Sequence, residues 1–66
     1  MNLKHAQYVM AVVREGSITA AAKKLYISQP SLSQTIKLVE QEAGLQLFER
    51  GTTPLRLTYA GTRYIE

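Results

Sequence analysis

The stretch "SQPSLSQTI", Ser28 to Ile36, decides how the rest of the chain is read. It carries no charge, yet it is dense in hydrogen-bonding side chains: Ser28, Gln29, Ser31, Ser33, Gln34 and Thr35. It also contains Pro30, which breaks a helix anywhere but in its first turn, where backbone N–H groups have no intrahelical acceptor. Ser28 is a preferred N-cap. With Ser28 as the cap, Pro30 falls in the first turn, and the stretch becomes the start of a helix over 28–43. Leu32, Ile36, Val39 and Ala43 form its buried stripe, and Gly44 ends it. The opposite face carries Pro30, Gln34, Lys37 and Gln41, flanked by Ser31 and Ser33, with Gln29 at the tip. Leu38 also falls toward the outer side, and nothing in the sequence accounts for it.

Towards the N-terminus, Asn2 caps a first helix whose buried stripe is Leu3, Ala6, Met10 and Val13, widened by Val9 and Val12. Gly16 stops that helix. Ser17 caps a second, with Ile18, Ala21, Ala22 and Leu25 facing inward. The two alanines are small enough for another helix to cross close by. Tyr26 and Ile27 form a short connection to the helix at 28. Towards the C-terminus, "LQLFER" (Leu45 to Arg50) and "LRLT" (Leu55 to Thr58) alternate apolar and polar residues around the turn signal "GTTP". They predict a short β-hairpin within about 46–58. Thr58 then caps a final helix, "YAGTRYIE". Two compact helices joined by a short turn, the second exposing polar groups, make a helix-turn-helix at about 17–37, and a hairpin behind it makes the winged version. The expected fold is mainly α: a three-helix core, a β-hairpin wing and the start of one further helix.

Composition narrows the function. At 66 residues the chain is one small domain, burying only about 60% of its unfolded surface. That leaves no room for an enzyme cleft beside a core. A hydrophobic content of 45% indicates a globular chain rather than a disordered one. There is no cysteine to staple the fold or hold zinc. His5 is the only histidine, lacks co-ligands and is expected at the surface. Glu40 and Glu42 are two apart, so they do not share a helix face as a catalytic pair would. The chain also has no Asp and no glycine-rich phosphate loop. No enzyme activity, metal or cofactor is expected. The longest apolar run, Tyr8 to Val13, is too short to span a bilayer. The net charge of +3 suits an anionic partner.

The distribution of that charge points to double-stranded DNA. In a major groove Gln pairs bidentately with adenine, Ser and Thr serve as donor or acceptor, and a proline ring meets a thymine methyl. Charge is needed at the flanks, where phosphates run. Lys23, Lys24, Lys37, Arg50 and Arg56 fall there, and the helix starts at Ser17 and Ser28 aim N–H groups suited to phosphate oxygens. Each feature also has a plainer reading: Ser28 as only a cap, the lysines as solvated charges, Arg50 and Arg56 as partners of Glu49 or other carboxylates. A protein-docking helical module stays open as the alternative.

The residues also resemble a known family. "EGSITAAAKKLYISQPSLSQTIKLVEQEAGLQLFER" (Glu15 to Arg50) and "LRLTYAG" (Leu55 to Gly61) are similar to the N-terminal domain of LysR-type transcriptional regulators. The resemblance implies a bacterial, cytoplasmic, nucleoid-associated winged helix-turn-helix that binds operator DNA, with residues 1–58 as the DNA-binding domain and 59–66 as the start of a linker helix. It implies that Gln29, Pro30 and Ser33 face the groove, and that Thr19, Ser31 and Arg50 lie near the DNA backbone. Gln34 joins the base-reading set, while Ser17, Ser28, Lys37, Thr52 and Thr53 join the backbone set. Members often carry arginine where this chain has Gln34, and at the wing tip, where it has Thr52, Thr53 and Pro54. Gln34 favours adenine or a water-mediated contact over guanine, and a wing without arginine grips the minor groove weakly. The resemblance further implies a fragment: a sensor domain binding a small effector would follow the linker helix. The intact protein would be a homodimer or homotetramer, and the fragment alone is expected to be monomeric.

Overall fold

The structure, a computed structural model, describes residues 2–65. Four helices follow one another: α1 (Leu3–Glu15), α2 (Ile18–Leu25), α3 (Gln29–Ala43) and α4 (Tyr59–Ile65). The starts of α1 to α3 are the caps read from the sequence. Asn2 Oδ1 accepts from His5 N at 2.8 Å, Ser17 Oγ from Ala20 N at 3.1 Å, and Ser28 Oγ from Ser31 N at 3.2 Å. Gly16 and Gly44 end α1 and α3 in the left-handed conformation that glycine adopts without a Cβ penalty. Helix α2 ends the same way on Tyr26, at φ 59° and ψ 40°, a conformation that costs a non-glycine residue about 1–2 kcal/mol.

Helices α1, α2 and α3 pack on one another. Their junction is filled by Val9, Ala11 and Val12 of α1, Ala21 and Ala22 of α2, and Leu32, Ile36 and Val39 of α3. Leu47 and Phe48 close the core from below α3, both fully buried. The inward stripes of α2 and α3 are those expected, with Ile18, Leu25 and Ala43 only half-buried. The stripe of α1 is the expected one only in part: Val9 and Val12 are fully buried, and Ala6 and Val13 are half-buried. Leu3 is 76% and Met10 40% exposed, whereas Ala11 is buried. Tyr8 to Val13 is an unbroken apolar run, so helical spacing picks out more than one face. Val9 and Val12 share the buried core with Ala21 and Ala22 of α2.

The expected β-hairpin wing is also corrected. No strand forms among the described residues. The pairing consists of a single antiparallel bridge between Phe48 and Leu57, with Glu49 N donating to Arg56 O and Thr58 N to Leu47 O, each at 2.8 Å. The cause lies in Leu47 and Phe48. Adjacent residues in a strand face opposite sides, yet here both are buried, so period-two alternation breaks at that point. Other tethers hold the segment. Leu55 N donates to Gly16 O at 2.8 Å, tying its returning limb to the α1–α2 turn. Gly16 faces Pro54 so closely that a Cβ there would sit 2.9 Å from the proline Cβ.

Helix α4 is locked at its start. Thr58 Oγ1 accepts from Gly61 N at 2.8 Å and donates to Gln46 O at 2.6 Å. Gly61 is buried directly against the Leu47 backbone. The helix expected to run to Glu66 is observed as Tyr59–Ile65, and Glu66 lies outside the described residues. No described helix is long and apolar enough to cross a membrane.

Candidate nucleic-acid interface

Helix α3 turns Leu32, Ile36 and Val39 into the core, and this fixes what faces outward. Gln29, Pro30, Ser31, Gln34, Lys37 and Gln41 are all exposed, and Ser33 is half-buried. A shallow groove along this face is lined by Ser31, Gln34, Thr35, Lys37, Leu38 and Gln41. Leu38 is exposed within it, and nothing among the described residues covers it.

The first turns of α3 are ordered by their own hydroxyls. Ser28 Oγ–H donates to Ser31 Oγ at 2.9 Å, and Thr35 Oγ1–H to Ser31 O at 3.0 Å. Gln29 Nε2 donates to Ser33 Oγ at 2.9 Å, one turn along. An amide has two N–H groups and a carbonyl oxygen. One N–H bonded to Ser33 leaves Gln29 the other N–H and Oε1, the donor–acceptor pair that matches the adenine edge. Sequence spacing placed these two residues on neighbouring turns but did not reveal that one steadies the other.

The residues expected near phosphates are placed less uniformly. Thr19, Ser31, Lys37 and Thr53 are exposed, as expected. Ser17 is half-buried and its Oγ is engaged as the α2 cap. At α3 the expected cradle of N–H groups is largely spent: Pro30 has none, and the Ser31 N–H is taken by Ser28. Thr52 is half-buried, with its hydroxyl 3.4 Å from Glu49 O. Lys23, Lys24 and Arg56 are exposed. Arg56 approaches Glu49 at 3.8 Å, both open to solvent, so the pair is weak.

Arg50 lies in a more defined setting. Its guanidinium donates to Glu40 Oε1 at 2.9 Å. The other carboxylate oxygen, Oε2, accepts from Leu47 N at 2.8 Å and lies 3.4 Å from Phe48 N. Glu40 therefore ties α3 to the segment leading into the wing. The sequence offers Glu49 or other carboxylates as partners for Arg50, and the partner is Glu40. Sequence alone does not single it out, because a partner ten residues away has no short-range signature.

His5 also departs from expectation. It is half-buried, lining a concavity between the starts of α1 and α3 with Lys4, Tyr8 and Ser28, and its Nδ1 has no hydrogen-bond partner among the described residues. The Lys4 ammonium stands 5.9 Å from the Tyr8 ring centre, within cation–π range. No group of three or more His, Asp or Glu residues suited to a metal occurs among the described residues.

Comparison with known proteins places this arrangement. Residues 3–62 match the family model described as bacterial regulatory helix-turn-helix protein, lysR family. The chain is 51% identical over 61 residues to the transcriptional regulator BenM of Acinetobacter baylyi, covering 92% of this chain and 20% of that protein. It is 45% identical over 65 residues to the regulator MetR of Haemophilus influenzae, covering 98% of this chain and 21% of that protein. It thus spans about a fifth of the length of these relatives. It superposes on the BenM DNA-binding domain, solved in complex with benA site 1 DNA, with a TM-score of 0.93 at 48% identity, covering 98% of this chain and 73% of that one. The CbnR DNA-binding domain, also solved with DNA, superposes with a TM-score of 0.89 at 34% identity, covering 98% of this chain and 75% of that one. The chain belongs to the lysR family of bacterial regulatory helix-turn-helix proteins.

Proposed function

We propose that this chain binds duplex DNA sequence-specifically, as the operator-reading part of a transcriptional regulator. The observation that carries the proposal is the outer face of the first half of α3: neutral, hydrogen-bonding and projected from a frame that superposes on a DNA-bound domain at a TM-score of 0.93. In this reading α3 enters the major groove. Gln29, steadied by Ser33, reads an adenine. Pro30 offers an apolar contact to a thymine methyl, and Gln34 contacts a further base edge directly or through water. Lys37 and Arg50 hold phosphates, with Thr19 and Ser31 contributing hydroxyls, and Ser17 and Ser28 acting through the placement of α2 and α3.

The segment between Phe48 and Leu57 serves as a short wing beside the backbone or minor groove, with Thr52 and Thr53 near its tip. With one bridge and no tip arginine it contributes less than α3. The family further supports an intact protein that is a homodimer or homotetramer of the bacterial cytoplasm, with an effector-binding domain beyond the helix that α4 begins.

Selection of duplexes from a random-sequence pool tests the proposal. The chain is expected to enrich a short motif containing adenine–thymine pairs. Failure to enrich any motif over a pool carried without protein would reject sequence-specific binding and favour a protein-docking role.

A further inference from the structure

We propose that Glu40 is a positioning residue for DNA binding: its carboxylate holds the Arg50 guanidinium against the flank of α3, at the point where the wing begins. This rests on the reading of Arg50 as a phosphate contact. The wing has one bridge, so strand register cannot set where Arg50 sits. Glu40 can. Its side chain is only 11% exposed, and its two oxygens bind Leu47 N, at 2.8 Å, and the Arg50 guanidinium, at 2.9 Å. Its backbone carbonyl meanwhile accepts from Gly44 N and Leu45 N at the end of α3. One residue thus ends the reading helix and fixes the direction of the chain that leaves it. A carboxylate near phosphates would repel them; burial and pairing with Arg50 confine that charge. A guanidinium has five N–H donors, so a bond to Glu40 leaves others for a phosphate oxygen. Ordering before binding lowers the entropy cost of the contact.

A double-substitution cycle on the selected duplex tests the role. Glu40→Gln keeps the shape and one carbonyl acceptor but removes the charge that anchors Arg50. It is expected to weaken binding roughly threefold to tenfold, the scale of one net hydrogen bond in a protein. In an Arg50→Gln background the same change is expected to have no further effect on affinity. Melting temperature, read in parallel, should fall in both backgrounds, because the bond to Leu47 N is weakened in each. An equal loss of affinity in both backgrounds would overturn the proposal and leave Glu40 a structural residue. Tighter binding by Glu40→Gln would overturn it too. Normal binding by Arg50→Gln alone would instead reject the phosphate role of Arg50, and the positioning role with it. Should Glu40→Gln fail to fold, NMR of the unaltered chain decides. Slow rotation of the Arg50 guanidinium is expected both without DNA and with it, and fast rotation without DNA contradicts the proposal.

Discussion

Gln29 and Lys37 lie on the same exposed face of α3, two turns apart, yet their chemistry assigns them different work. Gln29 carries a donor–acceptor amide and no charge, so its contribution depends on the base it meets. Gln29→Ala is expected to cost about 1–3 kcal/mol on a selected duplex and little on random DNA. Lys37→Ala is expected to weaken both about equally, because phosphates are the same everywhere. Titrating each variant against both duplexes checks the pair, and equal losses for Gln29→Ala would remove it from the reading role. Tyr26 makes a prediction of another kind. Its side chain is 95% exposed while its backbone sits in the left-handed region. Tyr26→Gly keeps the cap bonds from the residue 26 N–H and relieves the strain, offset partly by the greater freedom of glycine in the unfolded chain. A gain of about 0.5–1 kcal/mol is expected, read as a rise in melting temperature of several degrees for a domain this small. The exposed polar face at the start of α3 could be recognised from sequence because Ser28 as cap puts Pro30 in the first turn. The Gln29–Ser33 and Glu40–Arg50 bonds could not, since both depend on rotamers and, for Arg50, on the path of an irregular segment.

At the level of elements, legibility tracked punctuation. Asn2, Gly16, Ser17, Ser28, Gly44 and Thr58 each mark a boundary by a local mechanism, and each boundary stands where expected. Faces were legible where polar residues interrupt the apolar ones, as on α3, and only partly so where they do not, as on α1, where Val9 and Val12 are buried but Leu3 and Met10 are exposed. The wing failed for a related reason: alternation held around Leu47 and Phe48 without surviving through them. What replaces sheet register there is close backbone packing. A Cβ on Gly61 would collide with the Leu47 carbonyl oxygen and come within 3.0 Å of the Leu47 carbonyl carbon and Cα. Backbone on both sides cannot yield as a flexible side chain would. Gly61→Ala is therefore expected to destabilise the fold by about 1–3 kcal/mol, measurable by denaturant titration. An unchanged midpoint would mean that α4 is not docked on Leu47.

The whole molecule spans 27 × 26 × 18 Å and carries a net charge of +3. Its α4 exposes Tyr59 and Tyr64 but offers only seven described residues for association, and a stable dimer usually buries over about 1,000 Å² in total. The chain is expected to sediment as a monomer in dilute solution. On DNA, two copies on an inverted repeat lie about one helical turn apart, and effective concentration makes weak contacts between them count. A full inverted repeat should therefore be bound only modestly better than a half-site, and a tight dimer without DNA would show that this short helix, or some other surface, associates more strongly than its size suggests. The claim beneath all of these is that the chain grips phosphates while α3 reads bases. Salt tests it most directly. Each neutralised phosphate contributes about 0.9 to the slope of log K against log salt, so Lys37 and Arg50, the two cations assigned to phosphates, predict a slope of roughly −2 on duplex DNA. A titration across salt concentrations should give that steep fall; binding indifferent to salt, or absent even at low salt, would contradict the account.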